Sequence, residues 1–325
     1  MINYIVRRMV YGLFILVGVN LFTFVLFFAL NTPDDMARMN IGGKRVSQDA
    51  IEKWKVQRGY DKPLLWNAEQ AGTGKLVKTI FFERSVQLFA LDFGASDSGR
   101  DIGHELRQRV GPSIALALPT FILGTFVVVV FALLMVFFRN TYLDLWGFTL
   151  AVLLMSISSL FYILMGQFLF SKVLRLVPIS GFSGGRDAIV FLVLPVLIGL
   201  VSRLGGEALL FRTMILEEVG KDYVRTARSK GLSEQVVLFR HVLRNALLPI
   251  LTSTVAVLPL LFLGALIMES FFGIPGLGSY TIDAINAQDF AIVRAMVFVG
   301  SALYIVGLVL TDISYTVADP RIRLD

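Results

Sequence analysis

The chain has 325 residues, 56% of them hydrophobic and only 17% charged, with a net charge of +6 and no cysteine. A soluble protein of this length is nearer half apolar and a quarter charged, so the excess apolar mass faces lipid. The missing thiols exclude a disulfide framework, thiolate catalysis and most zinc sites. The two histidines, His104 and His241, are too few and too distant to suggest a metal centre. A basic balance that would suggest nucleic acid in a soluble protein mostly sets orientation in a membrane protein.

In chain order, six stretches supply the roughly 20 apolar residues that a helix needs to cross the bilayer core. They are Met9–Leu30, Ser113–Phe138, Leu143–Phe170, Ala188–Phe211, Pro249–Phe271 and Ile292–Ser314. The first follows Arg7 and Arg8, but its apolar run is too long for a signal peptide and ends in "NTPDD" without a small-residue cleavage site. It reads as an uncleaved span. With the N-terminus in the cytoplasm, Arg7, Arg8, Arg139, the basic stretch 212–244, Arg321 and Arg323 all fall inside. Short outer loops then carry only Lys172, Arg175 and Arg186, with Arg294 at the edge of the sixth span. That asymmetry predicts an all-α integral membrane protein with both termini inside.

The organisation follows: a cytoplasmic end and first span over 1–30, an extracytoplasmic segment over 31–110, and a five-helix core over 111–325. The core includes a cytoplasmic segment at 212–248. Within 31–110, "SQDAIEKWKVQRGYDKP" predicts a helix ending at Gly59, with Pro63 just beyond. Lys75–Leu91 reads as a second helical stretch and Asp101–Val110 as a third, leading to Pro112. "GTGK" at 72–75 resembles part of a phosphate loop, but Glu69 and Leu76 stand where that loop needs Gly and Ser or Thr.

"YVRTARSKGLSEQVVLFRHVLRNALLP", residues 223–249, is a basic amphipathic stretch between apolar runs. Asp222 is a suitable N-cap for a helix over Tyr223–Lys230. Arg228 and Lys230 suit its C-terminal dipole end, and Gly231 is a left-handed stop. Ser233 and Glu234 open a second helix toward Pro249. Three readings stand on these residues alone: a loop that only orients the protein, a helix lying on anionic lipid, and a docking element. In the fourth span, Arg203 and Glu207 are four apart and share a helix face. They line a pathway, contact a partner, or form a structural ion pair.

"GKDYVRTARSKGL" and "FRHVLRNALLPI" resemble the cytoplasmic signature of permease subunits of binding-protein-dependent ABC importers. The form is that of the first permease in the dipeptide/oligopeptide family. The family register falls on Arg225, Thr226, Ala227 and Gly231. "YIVRRMVYGLFILVGVNLFTF", "RGYDKPLL", "LDFGAS", "LVPISG", "ESFFGIPGLGSYTIDAINAQDFAIV" and "DPRIR" are similar to further family elements in the same order. The chain departs from the pattern in "LNTPDD", at Ile274, and at the charged Arg203 and Glu207.

The resemblance implies a type I ABC importer permease fold with six transmembrane helices, in a bacterial cytoplasmic (inner) membrane. It implies a coupling segment that includes Gly220, Asp222, Tyr223, Arg225, Thr226, Ala227, Gly231 and Arg240. It places Glu269, Pro275 and Gly276 near an outer gate, with Arg203 and Glu207 as further pathway candidates. The chain would itself be non-catalytic and bind no nucleotide, ATP-Mg being held by two partner ATPase subunits. The other implied partners are a second homologous permease and an extracytoplasmic solute-binding protein. Family substrates are peptides, with relatives taking nickel, glutathione or peptide-like antibiotics. The competing reading is a stand-alone secondary transporter or channel, which predicts transport by the isolated chain and usually an inverted repeat. No such repeat is visible.

Overall fold

The computed structural model describes residues 2–42, 46–257 and 265–318. Among them the regular structure is helical, with one isolated β-bridge between Ala95 and Asp101. Helix α1 (Ile2–Phe24) continues through a π-helical turn, Val25–Leu30. The first apolar run is thus a continuous helix, long and apolar enough over Tyr4–Phe28 to cross a membrane.

The segment that follows packs onto the end of α1. Helix α2 (Pro33–Ile41) opens with a capping box between Thr32 and Asp35. Helix α3 (Gln48–Arg58) is capped by Ser47 and stops at Gly59, whose φ of +67° is left-handed as expected. Phe24 and Phe28 of the first span share a core with Met36, Ile51, Trp54, Tyr60 and Ile80. Lys75–Leu91 is not one helical stretch. It breaks into α4 (Gly74–Val77), α5 (Ile80–Arg84) and a 3-10 turn, Val86–Ala90. Thr79 causes one break, since its hydroxyl accepts the amide of Phe82 and starts a new helix.

Asp101 caps α6 (Ile102–Phe137) through the amide of His104 at 2.9 Å. The expected third outer helix and second span are therefore one 36-residue rod, with Pro112 and Pro119 inside it. A proline costs one backbone hydrogen bond. A break beside the buried Ser113 would strand several.

The third span is also not straight. Helices α7 (Tyr142–Ser156) and α8 (Ser159–Gly166), the latter extended by a π-helical turn Gln167–Val173, meet at 91°. Ser158 caps α8 through the amide of Phe161, and the Tyr162 hydroxyl donates to the Leu154 carbonyl at 2.7 Å. These side chains satisfy backbone groups that the bend leaves open, as apolar surroundings require.

Helix α9 (Ala188–Val219) exceeds its expected end by two turns. Its 32 residues extend about 48 Å, so it continues beyond the bilayer core. After it come α10 (Asp222–Ser229), α11 (Glu234–Val236), a π-helical turn Val237–Val242 and α12 (Leu243–Val255). The expected fifth span includes residues 258–264, which lie outside the described residues, as does the "DPRIR" tail. Helices α13 (Leu266–Phe272), α14 (Leu277–Asn286) and α15 (Phe290–Ala318) complete the chain. Asp312 accepts Arg8 Nε at 2.8 Å and the Tyr4 hydroxyl at 3.1 Å, joining α1 to α15 near the expected cytoplasmic side.

Candidate functional site

The 212–248 segment is built on the spacing of its apolar residues. Val224 and Ala227, three apart on α10, are both buried. They join one cluster with Val128 and Val136 of α6, Phe211, Ile215 and Val219 of α9, and Val237, Leu238, Val242, Ala246 and Ile250 toward and along α12. The opposite face of α10 presents Asp222, Arg225 and Thr226 to solvent. Arg240 is exposed on the neighbouring π-helical turn.

Ala227 and Tyr223 therefore hold the segment to the body, whereas Arg225 and Thr226 face away from it. The Tyr223 hydroxyl donates to Glu218 Oε2 at 2.7 Å. Burial, reinforced by that carboxylate, pushes the Tyr223 phenol up to about 12. Gly220 closes α9 at φ −76°, an ordinary conformation, and a Cβ there would make only a normal contact with the Glu217 carbonyl oxygen.

Two expected caps are absent. Asp222 is the first helical residue rather than the cap, and its exposed carboxylate lies 3.5 Å from Arg225 Nη1. There it still faces the positive end of the helix dipole, but it caps no amide. Ser233 occupies the N-cap position of α11 without a side-chain cap bond. The turn between the helices is held instead by Arg228 and Glu234, an ion pair not anticipated from the sequence. Nε and Nη2 of Arg228 donate to the two carboxylate oxygens at 2.8 and 3.2 Å. Gly231, between the two in sequence, has φ +77°, the left-handed conformation expected of it.

On the opposite side of the molecule, the Glu269 side chain is fully buried. Its Oε1 accepts the Ser113 hydroxyl at 2.8 Å and the Ala265 amide at 3.2 Å. Its Oε2 accepts the amides of Gly278 at 2.7 Å and Ser279 at 3.0 Å. Ser113 Oγ in turn accepts the Leu277 amide at 2.8 Å. The carboxylate thus binds the amino end of α14, where free N–H groups and the dipole favour negative charge, and ties α6, α13 and α14 together. Gly276 and Gly278 make room for it. A Cβ at Gly276 would come within 2.5 Å of Ser113 Oγ, and one at Gly278 within 2.8 Å of the Leu266 backbone. Pro275 is exposed beside this junction.

Arg203 and Glu207 form a bidentate pair at 2.7 and 3.0 Å. Arg203 also lines a cavity of about 210 Å3 with Thr120, Phe121, Gly199 and Ser202, whereas Glu207 is not among its lining residues. Ala265 and Met268 line the same cavity. Ala265 therefore connects this cavity to the Glu269 junction through its backbone amide. The coupling candidates lie elsewhere, and both α6 and α9 run from their cluster to this region.

The Ser113–Glu269 bond and the pairing of Arg228 with Glu234 were missed by sequence reasoning. Arg228 and Glu234 flank Gly231 with opposite charges, which was a usable signal. Ser113 stands 156 residues from its partner and carried none.

Comparison with known proteins adds relatedness to this geometry. Residues 113–324 match the family described as "Binding-protein-dependent transport system inner membrane component". Residues 1–90 match "Binding-prot-dependent transport system membrane comp, N-term". The chain is 32% identical over 334 residues to a putative peptide transport system permease protein of Brucella abortus (strain 2308), covering 99% of each. It is 30% identical over 344 residues to a putative peptide permease protein of Brucella suis biovar 1 (strain 1330), covering 100% of each. It is also 30% identical over 247 residues to the dipeptide transport system permease protein of Bacillus subtilis (strain 168), covering 75% of this chain and 78% of the relative.

Proposed function

Because the chain belongs to the family of binding-protein-dependent transport system inner membrane components, a multi-pass permease family, we propose that it is one of two permeases in an ATP-driven importer of di- and oligopeptides or peptide-like solutes. Two separate ATPase subunits hold ATP-Mg and drive it. An extracytoplasmic binding protein delivers the solute. This chain contributes passage and coupling rather than catalysis.

The observation that carries the reading is the single apolar cluster joining α10 to α6, α9 and α12. A groove in an ATPase receives the exposed face bearing Asp222, Arg225 and Thr226. When the ATPases close, that face moves, and Val224 and Ala227 pass the displacement into the body. Packed cores shift between discrete arrangements rather than deform smoothly. Helix α9 carries the movement from Val219 toward Arg203 and its cavity, and Glu269 holds the outer junction until that movement reaches it. The peptide and dipeptide permeases among its relatives support a peptide as solute.

The test is gentle purification of tagged chain from its native membrane, with identification of bound proteins and assay of ATP hydrolysis. Two ATPases and a related permease, lost on Gly231→Leu, are expected. A chain that emerges alone and still moves solute overturns the proposal in favour of a stand-alone carrier.

A further inference from the structure

The region between the first two transmembrane helices is expected to lie in water outside the membrane, yet part of it extends along the sides of α1 and α15. Asn20 Nδ2 donates to the Ser85 carbonyl at 3.2 Å. Asn20 precedes Leu30, the end of the first span, by ten residues, or about 15 Å of helix. The Phe89 and Phe298 rings meet edge to face with centroids 5.1 Å apart. Phe298 lies eight residues into α15, or about 12 Å from its outer end. Two independent contacts therefore place the 3-10 turn Val86–Ala90 below the outer ends of α1 and α15, both of which are long and apolar enough to cross the bilayer.

Two side chains at this depth are apolar and outward-facing. Leu91 is 72% exposed and Phe89 38% exposed. Leu91 also has a φ of 60°, a left-handed conformation that residues other than glycine rarely adopt. Gly or Asn would make the turn at lower cost, so the turn by itself gives no reason for leucine. The nearby charges have partners within the segment. Lys62 pairs with Glu83, Arg84 Nη2 donates to the Arg58 carbonyl at 2.6 Å, and the Asp92 carboxylate accepts the Gly94 amide at 3.1 Å.

We propose that the Val86–Leu91 turn is set into the outer leaflet, with Phe89 and Leu91 among the lipid acyl chains. The partner is lipid, and the lipid-facing surface of α1 continues into the turn. This anchor holds the 31–110 segment at a fixed height and tilt over the outer junction, beyond what the chain connections alone impose. Trp66, exposed and beneath the Lys75 ammonium at 5.6 Å, suits the headgroup level at the edge of the same segment.

Because the chain has no cysteine, single thiols can be introduced without background. Spin labels at Leu91→Cys and Phe89→Cys would be compared with Phe22→Cys, on the exposed face of α1, and Glu52→Cys, on the exposed face of α3. Each full-length variant is purified with whatever proteins it carries and placed in phosphatidylcholine–phosphatidylglycerol nanodiscs. Accessibility to dissolved oxygen, which concentrates in lipid, is measured against that to a water-soluble nickel chelate. The expected result is an oxygen-to-nickel ratio at 89 and 91 several-fold above that at 52 and close to that at 22. A ratio at both positions matching residue 52 overturns the proposal. So does protection from both reagents, which would mean that protein covers the turn.

Discussion

Arg228 and Glu234 meet across Gly231, so that the last turn of α10 is tied to the first turn of α11. Both side chains are partly exposed, and an exposed pair of this kind contributes only about 0.2–1 kcal/mol to stability. Its larger effect is to set the angle between the helices. Arg228→Ala is expected to leave the melting temperature almost unchanged while lowering transport per ATP hydrolysed. The exchanged pair Arg228→Glu/Glu234→Arg should recover part of that ratio. Equal coupling in wild type and Arg228→Ala would show that the pair has no role in transmission.

At Gly231 the constraint is conformational rather than spatial, since nothing lies within 4 Å of the position a Cβ would take. The left-handed backbone costs most residues about 1–2 kcal/mol, and asparagine less. Gly231→Asn should therefore retain more ATPase binding than Gly231→Val. Co-purification yields for the two variants give the comparison, and equal loss in both would point to a requirement other than φ.

Glu269→Ala should lower the melting temperature markedly, because it strands the amides of Gly278 and Ser279 together with the Ser113 hydroxyl. Each buried group left without a partner costs about 1–3 kcal/mol. Gly276→Ala forces a methyl group against both the carboxylate and Ser113 and should be similarly damaging. Thermal unfolding in detergent distinguishes these variants from Pro275→Ala, whose exposed position predicts little change.

Arg203 and Glu207 are best tested as a pair. Arg203→Leu alone leaves a carboxylate without its partner, and Glu207→Leu leaves an arginine that costs at least ~2.5–3.5 kcal/mol if it reaches mid-bilayer. The double Leu variant should therefore fold better than either single one. If the arginine faces the transported solute, transport by the double variant falls while its folding persists. A normal transport rate would leave the pair a purely structural role.

Tyr223 carries a pH dependence. Its phenol is raised to about 12 by burial and the Glu218 bond, whereas an unfolded tyrosine ionises near 10. The folded state therefore holds this proton more tightly. Its contribution to stability is fully present below about pH 10 and is lost as pH rises through about 12. The difference in tyrosinate absorbance between wild type and Tyr223→Phe should show one residue titrating above the main group. A difference curve centred near pH 10 would mean that the phenol is not enclosed.

Much of this protein was legible in its residues because the bilayer imposes length and polarity rules that act locally. Apolar runs located four of the long apolar segments, although the helix near the expected fifth span already begins at Glu234. Charge asymmetry predicted an orientation, and Gly59 and Gly231 marked helix ends through a backbone preference that needs no distant partner. Where local rules competed with packing, the sequence misled. Pro112 suggested a boundary that α6 passes through, Asp222 suggested a cap that its position does not make, and the third apolar run concealed a 91° bend. The outer junction lay beyond any local rule. Whether Glu269 would be an exposed acid or a buried cap depended on Ser113, 156 residues away, and on glycines that let α14 approach the carboxylate. Side-chain chemistry decided which segments enter the membrane; only the tertiary structure decided which polar groups meet there, because a buried charge depends on partners that the chain brings from far apart.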